Sequence, residues 1–369
     1  MLMPRTLARS IGAEVLLFAA LGFVGFIAIL LVQNVAQRLE DLVAVGMSFR
    51  DARAVVIFLI GMVSPYAVPV GFLFGVLAAV GRLSADSEVT AMRACGLGLG
   101  AIFGPILGIA AALSLLTALL MIQVEPASRK DLRGVLASVA SRGAIFEPGR
   151  FRNVGMRVVY VQSRDTDDET RLKRIFIADR SNPKRPFLIF AQSARFFFDP
   201  EQLLIHLELE SGDIHLESLE LADHQRIAFE RFDYTIDASA LMDAARRLKP
   251  SEMELAQLSE EIESPDEVAA GRATSQFEAH FHRRLAIPFA PFVFAALGVP
   301  LGLRRARAAR SWGVLVCILL VAAYYTLLSF GQFIGETGRV PAWIALWMPN
   351  IVFAAASIPL LRRAQRGMT

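Results

Sequence analysis

The sequence predicts an α-helical polytopic membrane protein of six transmembrane helices with an inserted all-β, jelly-roll-like domain. Three observations carry this prediction. Of 369 residues, 54% are hydrophobic and 20% charged, with a mean hydropathy of +0.48, whereas soluble domains average roughly 25% charged residues. Six uncharged runs, Val15–Gln37, Ala54–Gly81, Gly96–Val124, Leu285–Leu303, Trp312–Gly335 and Val340–Leu361, each suffice for the roughly 20 helical residues that cross a bilayer. Between the third and fourth runs lies a polar segment, Glu125 to Arg284, with a period-two pattern. The resulting division is 1–124 (three spans), 125–250 (β-domain), 251–284 (helical connector) and 285–369 (three spans).

The first run is too long for the apolar core of a signal peptide and lacks an Ala-x-Ala exit, so it reads as a retained anchor. Pro65 and Pro69 interrupt the second run, and Pro105 lies near the start of the third. Each removes an intrahelical hydrogen bond, and the freed carbonyls need partners in neighbouring helices or water. Gly71, Gly75 and Ala79 in the second run, and Gly96, Gly100, Gly104, Gly108 and Ala112 in the third, recur every fourth residue. Such ridges let helices approach closely in lipid. Static packing and a sliding contact both use them.

In the polar segment, Ser128–Ser141 is helix-compatible and Glu147-Pro-Gly-Arg150 marks a turn. Leu203, Ile205, Leu207 and Leu209 then alternate with His206, Glu208 and Glu210, as a strand with one buried face requires. Ile214 and Leu216 resume the pattern after a predicted Ser211-Gly212-Asp213 turn. Ile227 and Phe229 are separated from Phe232, Tyr234 and Ile236 by Glu230-Arg231, a phase shift predicting a β-bulge. With candidate strands at 157–162, 174–178, 187–192 and 195–198, six to eight short strands suggest a sandwich or jelly roll. Ser251-Glu-Met-Glu254 reads as a capping box ahead of Leu255, Leu258 and Ile262. Pro265 interrupts that helix, and a second runs through Gln276–Arg284 into the fourth span. The connector serves equally as a linker or as a hinge.

The basic residues are distributed unevenly. Arg5, Arg9, Arg82, Arg93, Arg304, Arg305, Arg307, Arg310, Arg362, Arg363 and Arg366 fall on one side if the spans alternate. The positive-inside rule makes that side cytoplasmic, with both termini inside and the β-domain outside. The opposite loops balance Arg38, Arg50 and Arg53 against Glu40, Asp41 and Asp51, and Arg339 against Glu336. This distribution accounts for the net charge of +3 without nucleic acid.

Several chemistries are excluded. No Asp, Glu, Lys, Arg or His falls inside the six runs, which argues against an ion-coupled carrier. There is no GxxxxGK[ST], HExxH or GxSxG motif, so neither catalytic residues nor a cofactor are expected. Cys95 and Cys317 are far apart, and His206, His215, His224, His280 and His282 are assigned to the outside domain, so no metal site is expected. What stands out is Gly81-Arg-Leu-Ser-Ala-Asp-Ser-Glu-Val-Thr-Ala-Met-Arg-Ala-Cys-Gly96. Ser84 or Asp86 can cap a short helix over about 83–95, Glu88 favours its first turn, and Val89, Met92 and Cys95 follow at helical spacing. Glu88 and Arg93 are placed to point outward. The segment is either a solvated turn or a docking helix for a partner that supplies energy.

RLSADSEVTAMRACG resembles the Ser-Glu-(apolar)2-x-Met-x-Ala-x-Gly motif of the LptF/LptG family of permeases. HRRLAIPFAPFVFAALGVPLG in the fourth span and the W-x-P-N pattern of Trp347–Asn350 extend the resemblance over the whole chain, and Glu336-x-Gly338 leans towards the LptF member. The resemblance implies the permease subunit of an ABC transporter in the inner membrane that exports lipopolysaccharide. It implies a heterodimer with an LptG-like sister permease, a cytoplasmic LptB-like ATPase dimer that supplies the hydrolysis, and an LptC/LptA-like periplasmic bridge fed by a periplasmic jelly roll. Ser87, Glu88, Met92 and Arg93 would couple to the ATPase, with Glu88 as the coupling glutamate. Arg38 matches a basic residue near substrate phosphates, or is an anchor at the lipid head groups. A membrane scaffold or sensor with a partner-binding β-domain is the alternative.

Overall fold

The computed structural model of the chain describes residues 5–44, 49–141, 148–149, 151–154, 156–165, 170–181, 186–199, 204–217, 224–237, 248–263, 274–303 and 312–366. Arg304, Arg305, Arg307 and Arg310, Leu203 and Pro265 lie outside the described residues. The chain divides into two compact units, Met1–Gln37, Arg53–Leu132 and Lys249–Thr369 in one, and Arg38–Ala52 with Arg133–Leu248 in the other.

Among the described residues, six helical spans are long and apolar enough to cross a membrane: Thr6–Ala36, Arg50–Ala85, Gly100–Val135, Thr274–Gly302, Gly313–Glu336 and Ala342–Arg366. In hydrocarbon every backbone N–H and C=O must be paired within the segment, which a helix achieves. The helices are α1 (Arg5–Ala44), α2 (Phe49–Ala85), α3 (Glu88–Ala94), α4 (Gly100–Leu119), α5 (Glu125–Ser141), α6 (Leu255–Glu263), α7 (Thr274–Ala286), α8 (Ala290–Gly302), α9 (Trp312–Glu336) and α10 (Ala342–Arg366). A π-turn at Leu120–Val124 joins α4 to α5, and a 3₁₀ turn at Ile287–Phe289 joins α7 to α8.

The core lies around α8, in which Val293, Phe294, Leu297 and Val299 are buried. Its Gly298 and Gly302 sit against Val76 and Val80 of α2, where an added Cβ would come within 2.9 Å of each side chain. Asn350 explains the W-x-P-N pattern. Its Nδ2 donates to the Ala286 carbonyl at 2.8 Å, beside the 3₁₀ turn, and its Oδ1 accepts from the Tyr324 hydroxyl at 2.9 Å. One amide thus ties three spans together.

The two glycine ridges fare differently. At Gly75 a Cβ would lie 2.5 Å from the Val15 carbonyl, and at Gly71 2.7 Å from that of Ala19, so this ridge seats α1 on α2. Gly100, Gly104 and Gly108 meet nothing within 4 Å, so the third-span ridge packs no helix of this chain among the described residues. Gly96 leaves that ridge altogether. With φ +74° it terminates α3, as Gly96 N–H donates to Arg93 and Leu97 N–H to Met92, a Schellman motif. The prolines do not interrupt α2, which runs unbroken past both. Beside them the Tyr66 carbonyl accepts from the Tyr325 hydroxyl of the fifth span at 2.8 Å, although the carbonyls that the prolines free are those of Gly61 and Pro65.

The second unit contains β1 (Phe151–Val154), β2 (Arg157–Arg164), β3 (Arg171–Asp179), β4 (Phe187–Asp199), β5 (Leu204–Glu217) and β6 (His224–Asp237). They form one antiparallel sheet in the order β1-β2-β3-β4-β5-β6. Long strands replace the short ones expected, because 211–213 is no turn and β5 runs through it. Nor is there a register-shifting bulge at Glu230-Arg231. Pairing lapses at one residue in each of β2 to β6, Gln162, Arg174, Gln192, Ser211 and Glu230, and resumes in the same register. Arg174 and Ser211 have positive φ there, 53° and 54°. The buried phase switches at that line, for example from Leu207 and Leu209 to Ile214 and from Tyr234 and Phe232 to Phe229. The line is a crease running across the sheet.

The crease folds the sheet onto itself. Asp179 pairs with Phe187, Phe187 with Leu216, and Leu216 with Gln225. Tyr234 is nine residues farther along β6, about 30 Å away in a flat sheet. Yet the Phe187 and Tyr234 rings are 6.2 Å apart, and the Arg157 Nε donates to the Tyr234 hydroxyl at 2.9 Å. A sandwich therefore arises from two halves of one sheet, without a crossover among the described strands. Val159, Val161, Ile177, Ile189, Leu209 and Ile236 fill the space between them.

Candidate functional site

The polypeptide between α2 and α4 makes the only short helix that joins two spans directly among the described residues. Its apolar side is fixed, since Val89 and Met92 are buried in the cluster that holds Ile11 and Val15 of α1, Val76 and Val80 of α2, and Ile102 and Ile106 of α4. The helix is shorter than the 83–95 expected, because α2 continues to Ala85 and the turn falls at Asp86-Ser87. Neither Ser84 nor Asp86 caps it. The Ser84 hydroxyl donates to the Leu303 carbonyl at 3.4 Å, and Asp86 accepts from Arg82. Ser87 occupies the cap position with φ 60° and makes no side-chain cap bond.

Of the residues expected to couple, Ser87 and Glu88 are exposed, Met92 is buried and Arg93 is half-buried. Cys95 is exposed rather than packed. The structure thus divides the motif into an anchor (Val89, Met92) and a free face (Ser87, Glu88, Thr90, Ala91). Glu88 Oε1 lies 3.6 Å from Arg82 Nη1, with both side chains 45% exposed. The Arg82 guanidinium also grips the Glu14 carboxylate of α1 through Nε and Nη2, the latter at 2.6 Å. Arg38 belongs to α1, but its side chain lies outside the described residues.

A second polar constellation at the opposite end of these spans was missed in sequence. The π-turn precedes Glu125, which is fully buried. Glu125 pairs with Arg129 one turn on, with Arg283 Nη2 at 3.5 Å and with Arg284 Nη2 at 4.0 Å. Arg284 also donates to the carbonyls of Met253 and Ser251, the latter at 3.1 Å. Arg283 Nη1 donates to Gln332 at 3.1 Å, Gln332 to Glu336 at 2.7 Å, and His280 lies 3.5 Å from Glu336. Three spans and the connector meet in one ionic node. It corrects two expectations. The spans do carry ionisable residues, because the helices continue past the ends of the uncharged runs, and His280 and His282 ride on α7 in the first unit rather than in the outside domain. The capping box is displaced by three residues. Instead, α6 starts at Leu255, and the Gln257 side chain accepts from the Glu254 N–H at 2.9 Å. The overlooked signal was the pair Arg283-Arg284 abutting an apolar run.

Comparison with known proteins matches these features to one family. The profile of the lipopolysaccharide export system permease LptF/LptG family matches residues 9–363. The chain is 24% identical over 302 residues to the lipopolysaccharide export system permease protein LptF of Escherichia coli (strain K12), covering 79% of this chain and 77% of that protein. The same figures hold for LptF of Escherichia coli O157:H7 and of Shigella flexneri. With its six apolar spans, its inserted β-domain and the Ser87-Glu88 motif between the second and third spans, the chain belongs to the LptF/LptG family of lipopolysaccharide export permeases.

Proposed function

We propose that this permease extracts lipopolysaccharide from the inner membrane and passes it through its β-domain to an LptC/LptA-like periplasmic bridge. It works as a heterodimer with an LptG-like sister, and an LptB-like ATPase dimer docks on α3. Both termini and α3 face the cytoplasm, and the β-domain is periplasmic. The observation carrying this reading is the build of α3: its apolar side is locked among three spans while Glu88 remains exposed. A load applied to Glu88 is therefore delivered to the helices rather than dissipated in a loop. Arg38 is assigned to the outer end of the first span, beside substrate phosphates.

Acyl chains cost roughly 0.8 kcal/mol per CH2 to expose to water, so the route must offer a continuous apolar lining. The interior of the creased sheet has that character, and there the strand halves must part to admit lipid. Glu88→Ala in the full complex tests the docking. Loss of a charge-assisted contact should weaken ATPase co-purification or uncouple hydrolysis from lipid release by about tenfold, the equivalent of roughly 1.4 kcal/mol. Unchanged lipid release with full ATPase retention would sink the reading. Mass spectrometry of the complex in mild detergent should detect a phosphate-loop ATPase, a homologous permease and bound lipopolysaccharide; a scaffold would bring down none of these together.

A further inference from the structure

Arg82 stands where three carboxylates from three segments converge. Besides the fork on Glu14, its Nη1 donates to Asp86 Oδ2 at 3.2 Å and lies 3.6 Å from Glu88 Oε1. Glu14 belongs to the first span, Asp86 to the turn after α2, and Glu88 opens α3. The Glu14 side chain is only 14% exposed. A carboxylate at that position of an apolar helix needs a counter-charge, and Arg82 supplies it from the last turn of α2, where a cation suits the helix dipole. One guanidinium serves three carboxylates, so two negative charges remain uncompensated within this group.

The first span is otherwise loosely held. Leu17, Leu21, Val24, Ile29 and Val32 are all more than half exposed. Its firm contacts include the approach of Gly71 and Gly75 to its backbone, Gly22 against Phe74, and the buried Ile11 and Val15 that flank Glu14. The ionic clasp thus joins α3 to the least buried span among the described residues.

We propose that Arg82 is the positioning residue that couples Glu88 to the first span. The fork on Glu14 fixes the guanidinium plane, as bidentate arginine–carboxylate pairs do, and the remaining Nη1 orients the carboxylate of Glu88 for its partner. A cationic group offered by the docking ATPase is drawn by the uncompensated negative charge and engages Glu88. The displacement of Glu88 then passes through Arg82 to Glu14 and moves the end of α1. The inference rests on α3 being the ATPase contact.

The test uses the complete transporter in lipid nanodiscs and reads lipopolysaccharide released per ATP hydrolysed, together with ATPase retention. Arg82→Gln and Glu14→Gln should each lower the ratio about fivefold while the ATPase stays bound, and the double variant should be no worse than either single one. Arg82→Lys should recover only part, because an ammonium keeps the charge but not the fork. The swapped pair Glu14→Arg with Arg82→Glu restores the link between α1 and α2 yet repels Glu88. It should fold and remain uncoupled, which a merely structural pair would not do. A normal ratio in Arg82→Gln or in the swap overturns the inference, as do independent, multiplying losses in the double variant. Glu88→Ala run in parallel separates the two levels. If it too has no effect, the docking reading fails; if it alone is impaired, only the role of Arg82 fails.

Discussion

Arg284→Ala is expected to cost about 3–5 kcal/mol, the range for breaking a buried ion pair by removing one partner. Arg284 is fully buried, and its loss strips a counter-charge from Glu125 and donors from the carbonyls of Ser251 and Met253. That deficit approaches the whole stability of an ordinary domain, so the variant should accumulate poorly in membranes and unfold at a much lower temperature in detergent. Arg284→Met combined with Glu125→Leu removes one charge of each sign from the node. Arg129 and Arg283 also pair with Glu125, so the double variant leaves two arginines without their carboxylate and should recover little of the lost stability. Thermal unfolding of the purified proteins measures both. Recovery of most of the stability in the double variant would show that Arg129 and Arg283 do not depend on Glu125.

The same node shows what sequence could and could not reveal. The six apolar runs and the alternating strands were legible because each reports a local rule, burial in lipid or on one sheet face. Glu125 and Arg284 are 159 residues apart, and nothing in either neighbourhood announces the other. Counting charges inside apolar runs placed both outside the membrane helices, although the helices extend beyond the runs. The crease was half legible. The doubled polar pair Glu230-Arg231 reported the switch of face on one strand, but only the aligned lapses at Arg174 and Ser211 reveal that neighbouring strands turn together. Around α3 the motif located Glu88 and its anchors Val89 and Met92. The clasp with Glu14 was hidden because it spans 68 residues and is carried by side chains that each read as ordinary boundary charges.

The second large effect is expected where the crease brings the two sheet halves together. Asp179 accepts from Arg157 Nε at 2.9 Å, from the Tyr234 hydroxyl and from the Ser181 N–H at 2.7 Å. Burial would raise its carboxyl, but the bonds from Ser181, Tyr234 and Arg157 outweigh that and hold it down to about 2 from its ordinary 3.8. Burial and the neighbouring carboxylate push the Tyr234 phenol up, so it stays protonated and donates. A depressed folded-state value means that the ionised form stabilises the fold. The contribution, about 2 kcal/mol, is fully present above the unfolded value and is lost as pH falls from about 4 to about 2. Hydrogen exchange of β2, β3 and β6 in the intact protein should show protection that is level above that window and declines within it. Asp179→Asn should begin about 2 kcal/mol lower and lose the decline, since it has no carboxyl to titrate. Tyr234→Phe removes the one contact with Asp179 that crosses between the halves, so it should loosen β6 against β2 while leaving the Arg157–Asp179 pair of adjacent strands in place. A lipid photo-crosslinker at Leu209 should then capture lipopolysaccharide more readily than in the wild type, because the halves part at lower cost. An unchanged pH profile in Asp179→Asn would mean that apolar packing alone closes the folded sheet and that the triad merely decorates its edge.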